Sequence, residues 1–468
     1  MPEPLSIHFE GAARTVTGSR HRIEFGRRSF LFDCGFYQGH RDEAEKINRT
    51  FHFEPSGLDA VVLSHAHLDH TGNLPTLVSR GYGGTVHSTP ATADLCRVML
   101  PDAAFLMERE VEHVNWRTGG RPLRRPLYTA EDVQETLTRF LPHPYHEPWI
   151  LFPGVSGQYH DAGHILGSAL TTFEFTSGGR RLRLGMSGDL GRPRRPILRD
   201  PEVPAGVDVL VMESTYGDRL HSPAADTERE LAEVVRRTAA RGGRLLVPAF
   251  AVGRTQELVA TLHALTQRGE VPELPIFVDS PLARRATEVF VRHPECFDAA
   301  TWEGFAKHAG EPFGFKRLRY VSTPEESRQL NTRPGPFIVI SASGMCEGGR
   351  ILHHLRQGLG DERNTVLLVG FQAEGTLGRR LRDGAERVNV FGEPVERRAE
   401  VVALDGFSAH ADQREILDWV SRLDPAPRRI FLVHGEPAPA ETLAGLLHNR
   451  VGAEVGIPRA GETFDLWT

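Results

Sequence analysis

The densest group of candidate metal ligands is the segment HAHLDH, which contains His65, His67, Asp69 and His70. It follows the apolar run VVL and precedes the helix-like stretch TGNLPTLVSR, so all four side chains fall in a loop at the end of a strand. Side chains of extended chain repeat every second residue, so His65 and His67 point the same way. Asp69 and His70 can face a neighbouring point where the chain turns into the helix. One metal ion can take the first pair and a second ion the other. Imidazole with carboxylate favours zinc, with iron or manganese as alternatives.

The elements that must position this segment are those of an α/β protein. Short β-branched runs end in polar clusters and are followed by helical patterns, as in 58–70 and 207–215. Ligand sites of such folds lie beyond the carboxyl ends of strands, which is where these clusters fall. Alternating strands dominate up to about residue 206, and strands followed by long helices dominate from about 207 to 400, as in a doubly wound unit.

Length and composition exclude several classes of protein. The 468 residues predict two or more folding units, and 40% hydrophobic with 25% charged residues is typical of a soluble globular protein. No stretch is apolar enough to cross a membrane, and the start of the chain lacks the pattern of a secretory signal. The four cysteines are scattered, so we expect free thiols in the cytoplasm. The net charge of −6 argues against a protein that coats nucleic acid. It does not exclude a nuclease, because carboxylates that bind metal inflate the acidic count.

The segment HAHLDH resembles the H-x-H-x-D-H signature of the metallo-β-lactamase fold. Other motifs similar to that fold occur in order along the chain: Asp33 in FLFDCG, His164 in DAGHILGSA and Asp189 in MSGDLG. Motifs similar to the β-CASP subgroup follow: Glu213 in VMESTYGD, His410 in GFSAHAD and His434 in FLVHGE. The resemblance spans nearly the whole chain. It points to bacterial ribonucleases that resemble the cleavage subunit of the mRNA 3′-end processing complex.

The resemblance implies two zinc ions per chain, with manganese as an alternative. His65, His67 and His164 would hold one ion, Asp69, His70 and His434 the other, and Asp189 would bridge both. Asp33 would bind no metal but would orient a ligand loop. Without the other motifs, the sequence around His164 or His434 would indicate an ordinary core or surface histidine.

The chemistry implied by the resemblance is hydrolysis of a phosphodiester. Two divalent ions about 3.5–4 Å apart activate a shared water, whose pKa zinc lowers to about 7, and the hydroxide attacks phosphorus. The departing ribose oxygen needs a proton, and His410 is the candidate general acid. Glu213 would orient His410 and raise its pKa. We count Asp69 with these two residues as catalytic.

A second candidate site is the loop SASGMCEGG, which follows a strand and precedes a helix-like stretch. Backbone N–H groups at such a turn form an anion-binding concavity. We expect Ser341, Ser343 and Gly344 to bind a substrate phosphate, with Arg254 of VGRTQE as a further charged contact. A turn with a structural role alone is equally consistent with the pattern.

The leading functional hypothesis is a zinc-dependent ribonuclease acting on single-stranded RNA. It would be mainly an endonuclease, with 5′-exonuclease activity as a second mode. The choice of RNA rests on the resemblance, because RNA-acting branches carry a histidine at the last motif, here His434. The alternatives are a DNA-acting β-CASP nuclease, a small-ester or thioester hydrolase of the same fold, and an inactive RNA-binding scaffold.

The expected architecture is a metallo-β-lactamase αββα sandwich with an inserted doubly wound α/β domain. Residues 1–210 would form the first part of the sandwich, 211–400 the β-CASP insertion and 401–468 the last part of the sandwich. We expect no membrane partner. The oligomeric state stays open, with a homodimer among the alternatives.

Overall fold

The computed structural model describes residues 2–39, 41–119, 123–299, 301, 303, 317–370, 372–373 and 375–468. The chain forms two compact units. The first comprises Met1–Pro193, Arg199–Leu220 and His410–Thr468, and the second comprises Arg194–Leu198 and His221–Ala409. The domain limits expected from the sequence, at 210 and 400, stay a prediction.

Two seven-stranded sheets form the centre of the first unit. The strands of one sheet are β1 (Leu5–Gly11), β2 (Arg20–Phe25), β3 (Arg28–Phe32), β4 (Ala60–Val62), β5 (Thr85–Ser88), β6 (Phe140–Pro142) and β22 (Thr463–Asp465). The strands of the other are β7 (Trp149–Phe152), β8 (Val155–Asp161), β9 (Ala169–Ser177), β10 (Arg180–Met186), β11 (Val209–Glu213), β20 (Arg429–Val433) and β21 (Glu454–Gly456). The first sheet has the order β22-β1-β2-β3-β4-β5-β6, and the second β21-β20-β11-β10-β9-β8-β7.

The two sheets bury one shared apolar core. Phe30 and Phe32 of β3 pack there with Phe173 of β9. Strands β1 and β8 alternate buried and half-buried residues, as expected when one strand face lies on a core. The central strands β4 and β11 are buried throughout.

Helices cover the outer faces of both sheets. The helices of this unit are α1 (Arg41–Arg49), α2 (Leu68–Thr71), α3 (Leu74–Ser79), α4 (Pro90–Arg117), α5 (Ala130–Leu137), α12 (Gln413–Val420) and α13 (Pro437–Val451). Trp419 of α12 and Leu443 of α13 belong to a core cluster with Leu210 and Leu432 of the second sheet. On the first sheet, α4 contacts β6 and packs with α5. The αββα sandwich expected from the sequence is confirmed.

The second unit is built on a six-stranded parallel sheet. Its strands, in the order β14-β13-β15-β12-β16-β19, are β14 (Leu318–Tyr320), β13 (Ile276–Val278), β15 (Phe337–Ser341), β12 (Arg244–Pro248), β16 (Thr365–Leu368) and β19 (Glu400–Ala403). A separate hairpin pairs β17 (Arg387–Val390) with β18 (Glu393–Glu396). The helices are α6 (Ala224–Ala240), α7 (Arg254–Gln267), α8 (Pro281–Arg292), α9 (Pro324–Thr332), α10 (Ile351–Gly358) and α11 (Leu377–Arg382).

Both faces of this parallel sheet are buried. Leu245 and Val247 of β12 belong to one core cluster, and Leu246 between them belongs to another. Successive side chains of a strand point to opposite faces, so a sheet with two apolar faces needs helices on both. This is the doubly wound unit expected from the sequence, and it is confirmed.

The four cysteines, Cys34, Cys96, Cys296 and Cys346, are buried and lie outside any disulfide. Within the described part of the chain, no helix combines the length and the apolar character needed to span a membrane.

Candidate metal centre

The candidate ligands lie where parallel strands of the first unit end. His65 follows β4, His164 follows β8, Asp189 follows β10 and His434 follows β20 directly. Strands β10, β11 and β20 are mutually parallel, as are β3, β4 and β5. Parallel strands present their carboxyl ends at one edge of a sheet, which is why segments far apart in sequence meet here.

Three histidines and one aspartate form the first ligand group. His67 Nδ1 lies 3.1 Å from His65 Nε2 and 3.3 Å from His164 Nε2. Asp189 Oδ2 lies 3.5 Å from His65 Nε2 and 3.4 Å from His164 Nε2. Ligand atoms that surround one tetrahedral zinc at bonds of about 2.1 Å are about 3.4 Å apart. These four separations match that spacing, and all four ligand atoms lie within 4.8 Å of one another, as expected for ligands to a single ion.

Asp69, His70 and His434 form the second group. His434 Nε2 lies 3.3 Å from His70 Nε2 and 3.4 Å from Asp69 Oδ2. His70 and His434 are buried, whereas the Asp69 side chain keeps 22% of its surface exposed. This group can hold a second ion with one side open to solvent.

Asp189 lies between the two groups and offers one oxygen to each. Its Oδ2 faces the first group, and its Oδ1 lies 3.2 Å from His70 Nε2 and 3.5 Å from His434 Nδ1. Among the described residues Asp189 Oδ1 has no hydrogen-bond partner although it is buried. A buried carboxylate oxygen without a donor is costly, and a cation shared by both groups would satisfy it. The donor set thus fits two divalent ions bridged by this carboxylate.

Burial and mutual charge set the protonation of these groups. Burial lowers the pKa of His67 to about 4 and holds the pKa values of His65 and His164 well below the usual value. These imidazoles are therefore neutral near pH 7, which is the form that binds metal. Burial opposes ionisation of Asp189, but His434 and His70 keep its pKa well below the ordinary value. Asp189 is therefore a carboxylate.

Asp33 fixes the orientation of His70. Its Oδ2 lies 2.7 Å from His70 Nδ1, and the carboxylate accepts hydrogen bonds from Ser64 N, Ser64 Oγ and Ser19 Oγ. A carboxylate on Nδ1 holds the proton there and leaves the Nε2 lone pair for a metal. Asp33 is fully buried, has a positive φ of 59° and stands directly after β3.

His410 and Glu213 form a hydrogen-bonded pair beside the first group. His410 Nδ1 lies 3.1 Å from Glu213 Oε1 and 3.0 Å from Oε2. Glu213 ends β11, is fully buried and accepts a hydrogen bond from Leu190 N. Burial alone would lower the pKa of His410, but the Glu213 carboxylate, with Asp189, raises it to about 9.

Local sequence holds His410 in place. His410 and Gly191 form an isolated antiparallel β-bridge, and Ala411 N donates a hydrogen bond to Leu190 O. Directly after it, Asp412 and Glu415 form a capping box that begins α12. Asp followed three residues later by Glu is the sequence pattern of such a helix start. The chain is therefore pinned on both sides of the His410 ring.

His410 also belongs to a third possible ligand group, with Asp189 and His434. Its Nδ1 lies 3.9 Å from Asp189 Oδ2 but 3.0 Å from Glu213. Because Nδ1 carries the proton shared with Glu213, that atom cannot also donate a lone pair to a metal. The geometry favours a proton-donating His410 over a ligating one.

Several residues that contact the ligands are absent from the sequence-based prediction. Ser64 Oγ lies 3.0 Å from His65 Nδ1, and Thr215 Oγ1 lies 3.2 Å from His434 Nδ1. Ser168 Oγ accepts a hydrogen bond from His164 N. The only signal in the sequence is that each hydroxyl stands next to a ligand or next to another site motif, which is too common a pattern to use.

The expected phosphate-binding residues lie in the second unit. Ser341 is buried and its Oγ donates to Asp279 O. Ser343 Oγ accepts hydrogen bonds from Glu347 N and Gly348 N, and Gly344 O accepts one from Gln372 Nε2. Arg254 is ion-paired with Glu257 at 2.7 Å. The hydroxyl of Ser341 and the charge of Arg254 are thus engaged within the protein. Phosphate binding by these residues stays a prediction.

Three family models match the chain. The model of the metallo-beta-lactamase superfamily matches residues 22–148, and that of the Beta-Casp domain matches 255–381. The model of the Zn-dependent metallo-hydrolase RNA specificity domain matches 394–458. The last range contains His410 and His434.

Relatives cover almost all of the chain. It is 40% identical to ribonuclease TTHA0252 of Thermus thermophilus, across 97% of this chain and 98% of that protein. It is 31% identical to transcription termination factor FttA of Methanosarcina mazei, across 95% of this chain and 69% of that protein. A solved structure of a protein of unknown function from Enterococcus faecalis shares the fold, with a TM-score of 0.55 and 13% identity, over 99% of this chain and 100% of that one.

Proposed function

Because this chain belongs to the β-CASP family of metallo-β-lactamase-fold hydrolases, we propose that it is a zinc-dependent ribonuclease that hydrolyses phosphodiester bonds of single-stranded RNA. Cleavage would be mainly endonucleolytic, with 5′-exonuclease activity as a second mode. The relative that matches over almost its full length is named a ribonuclease, and the family model over the last part of the chain is described as an RNA specificity domain.

One observation carries the proposal. Two buried ligand groups from distant segments meet at Asp189, whose two oxygens face different groups. Beside them lies a histidine that a buried carboxylate keeps protonated. Hydrolysis of a phosphodiester needs both parts, because an activated water must attack and the departing ribose oxygen must receive a proton.

In this proposal His65, His67 and His164 would hold one zinc, Asp69, His70 and His434 would hold the second, and Asp189 would bind both. Bound zinc supplies a water acidified to a pKa of about 7 and neutralises charge that grows on a phosphoryl oxygen. Manganese is the alternative metal. The protein's contribution is to hold the ligands at metal-binding spacing before any ion arrives. His65, His67 and His164 are already neutral. Burial opposes protonation of His70, but Asp189 and Asp33 raise its pKa well above the ordinary value, so His70 must release a proton when it binds metal.

His410 acts as the general acid and Glu213 as its orienting partner. The Glu213 carboxylate raises the pKa of His410 against the effect of burial, which favours the protonated form that a general acid needs. The His410 side chain keeps 21% of its surface exposed, so a proton can pass from it to a departing oxygen. Asp69, the most exposed of the proposed carboxylate ligands, has a free side toward solvent from which it can orient the attacking water.

The Ser343–Gly344 loop is proposed as a phosphate contact of the second unit. Ser343 Oγ accepts hydrogen bonds from two backbone N–H groups, so its hydroxyl proton can donate a hydrogen bond to a phosphate oxygen. We also propose a cytoplasmic location, consistent with four buried cysteines outside any disulfide.

The test is cleavage of end-labelled single-stranded RNA, beside a DNA of the same sequence, by protein loaded with zinc. The variants are His410→Ala and Asp189→Ala, and zinc content is measured for each. We expect about two zinc ions per wild-type chain, cleavage of RNA with 5′-phosphate and 3′-hydroxyl ends, and loss of metal in the Asp189 variant. His410→Ala should keep its metal and lose roughly 10²–10⁴-fold in turnover.

Three results would contradict the proposal. Preferential cleavage of DNA would indicate a DNA-acting nuclease. Hydrolysis of small esters or thioesters without cleavage of RNA would indicate a small-molecule hydrolase. RNA binding by zinc-loaded protein with no cleavage of any substrate would indicate an inactive scaffold.

A further inference from the structure

The end of helix α4 exposes three large apolar side chains. Buried side chains of α4 extend only as far as Ala104. Beyond that point Phe105 is 59% exposed, Leu106 56% and Trp116 80%. Single exposed apolar residues are ordinary, whereas three large ones on the last turns of one helix indicate an interaction surface.

Four side chains of this helix lie along one stripe. Phe105, Arg109, Glu112 and Trp116 are spaced by four, three and four residues, which brings them within about 60° of each other around the helix. Arg109 and Glu112 form an ion pair at 3.6 Å, and each is 69% exposed. The stripe therefore reads aromatic, positive, negative, aromatic; we call it the α4 stripe.

Contacts on another side hold the end of α4 in place. Asn115 Nδ2 donates to Arg124 O, and Asn115 Oδ1 accepts from Arg124 N. Glu108 Oε1 accepts a hydrogen bond from Ala130 N, the first residue of α5. The α4 stripe is thus presented on an anchored helix and needs little further ordering to bind.

The stripe is complementary to a reversed copy of itself. If two copies of α4 lie antiparallel, with a two-fold axis between residues 110 and 111, residues at equal distances before and after that axis meet. Phe105 then meets Trp116 of the other copy, and Arg109 meets Glu112, twice each. We propose that this face binds the same face of a second copy of the chain, forming a two-fold symmetric dimer.

Charge argues against nucleic acid as the occupant of this face. The last turns of α4 carry Glu108, Glu110 and Glu112 against Arg109 and Arg117, a net charge of −1 with neutral histidine. This helix segment has no excess of positive charge, whereas a polyanion binds clusters of arginine or lysine. A second copy satisfies both the aromatic ends and the charged centre.

The size of the face sets the expected strength. The exposed part of the helix is roughly 20 Å long. A single helix pair of that length buries less than the ~800 Å² per partner of a standard interface. We therefore expect a weak dimer whose population rises with protein concentration.

The test is sedimentation equilibrium of the full chain over a wide range of concentration. Arg109→Glu places glutamate against Glu112 at both contacts, and Glu112→Arg places arginine against Arg109 at both. Each variant alone should associate about ten-fold or more weakly than wild type. An equimolar mixture of the two should associate again. In the mixed dimer the introduced glutamate meets the introduced arginine, and the native Glu112 of one chain meets the native Arg109 of the other.

The matched control is Arg328→Glu on α9, where Arg328 and Glu325 form an exposed pair of the same spacing at 3.3 Å. We expect it to associate like wild type. A wild-type chain that stays monomeric at all concentrations would overturn the proposal. So would single variants that associate normally, or a mixture that does not recover. If Trp116→Ser bound RNA more weakly while the association between two copies stayed unchanged, the face would be assigned to nucleic acid instead.

Discussion

Replacing Glu213 by glutamine should change how cleavage depends on pH rather than abolish it. Glutamine keeps an oxygen that accepts the hydrogen bond from Leu190 N, so the end of β11 should stay intact. It removes the negative charge that lies 3.0 Å from His410 Nδ1. The pKa of His410, about 9 beside Glu213, should then fall toward the ordinary value of about 6.5.

The magnitude follows from the fraction of His410 that carries a proton. Asp189 also raises this pKa, so we assign a loss of about two units to the Glu213 charge, or about 2.7 kcal/mol between the two protonation states. A general acid works only when protonated, so the variant should lose up to about 100-fold at high pH and almost nothing at low pH. Bound cations lower both pKa values together. The prediction therefore concerns the difference between the two proteins, not either absolute value.

The assay is single-turnover cleavage of end-labelled RNA by zinc-loaded protein from pH 5.5 to 9.5, with zinc content measured at each pH. The control places Glu213→Gln in the His410→Ala background, where it should have no further effect on the rate. Identical alkaline limbs for wild type and Glu213→Gln would refute the assignment of His410 as the acid. A rate loss of equal size at every pH would instead indicate a purely structural role for Glu213.

Two further predictions concern other buried groups. Asp33→Asn should weaken binding of the zinc held by His70 by about 10–100-fold and affect the other less, because Asp33 contacts His70 directly but reaches His65 only through Ser64; a zinc titration that showed equal weakening of both ions would contradict this. His87 is buried beside His143, which lies 2.8 Å away, and burial lowers the pKa of His87 to about 4. Between about pH 6.5 and pH 4, His87 therefore binds a proton in the unfolded chain but stays neutral in the folded protein. The stability present above pH 6.5 is lost as the pH falls toward 4. The free energy of unfolding, measured with urea, should drop between pH 7.5 and pH 5 by about 1–2 kcal/mol less in His87→Gln than in wild type. An equal drop in the two proteins would refute this role of His87.

The sequence alone is enough to predict as metal ligands only those residues that are neighbours in the chain. His65 and His67 follow a buried strand, and their spacing predicts that the two side chains point the same way. Their ring nitrogens lie 3.1 Å apart in the structure. His164 and His434 have no local signal of this kind. Their approach to the others depends on which strands become parallel neighbours, and a single sequence does not state that order. For these residues the resemblance to a family supplied the information.

Fold class could be predicted because hydrophobic periodicity is a local property. The pattern of strand and helix after residue 207 corresponds to a parallel sheet with two buried faces. The path of Arg194–Leu198 could not be predicted, because these residues belong to the second compact unit although the chain on both sides belongs to the first. Ser64 and Thr215 were missed for a related reason: a hydroxyl can bond to many groups, and only the folded chain selects one.

The charge balance of the centre explains why so many acidic groups are buried together. Asp69 and Asp189 contribute two negative charges to the proposed ligand set, and the histidines are neutral ligands. Two divalent cations would leave a net charge of about +2 before substrate or hydroxide binds. Asp33 and Glu213 lie on the outer sides of His70 and His410, where their charges orient imidazoles without occupying the metal shells. With these two carboxylates and a protonated His410 included, the net charge of the centre is about +1, which attracts a phosphodiester. A chain of net charge −6 can thus present a positive centre to RNA, because the positive charge is carried by ions held at the end of the strands rather than by a basic surface.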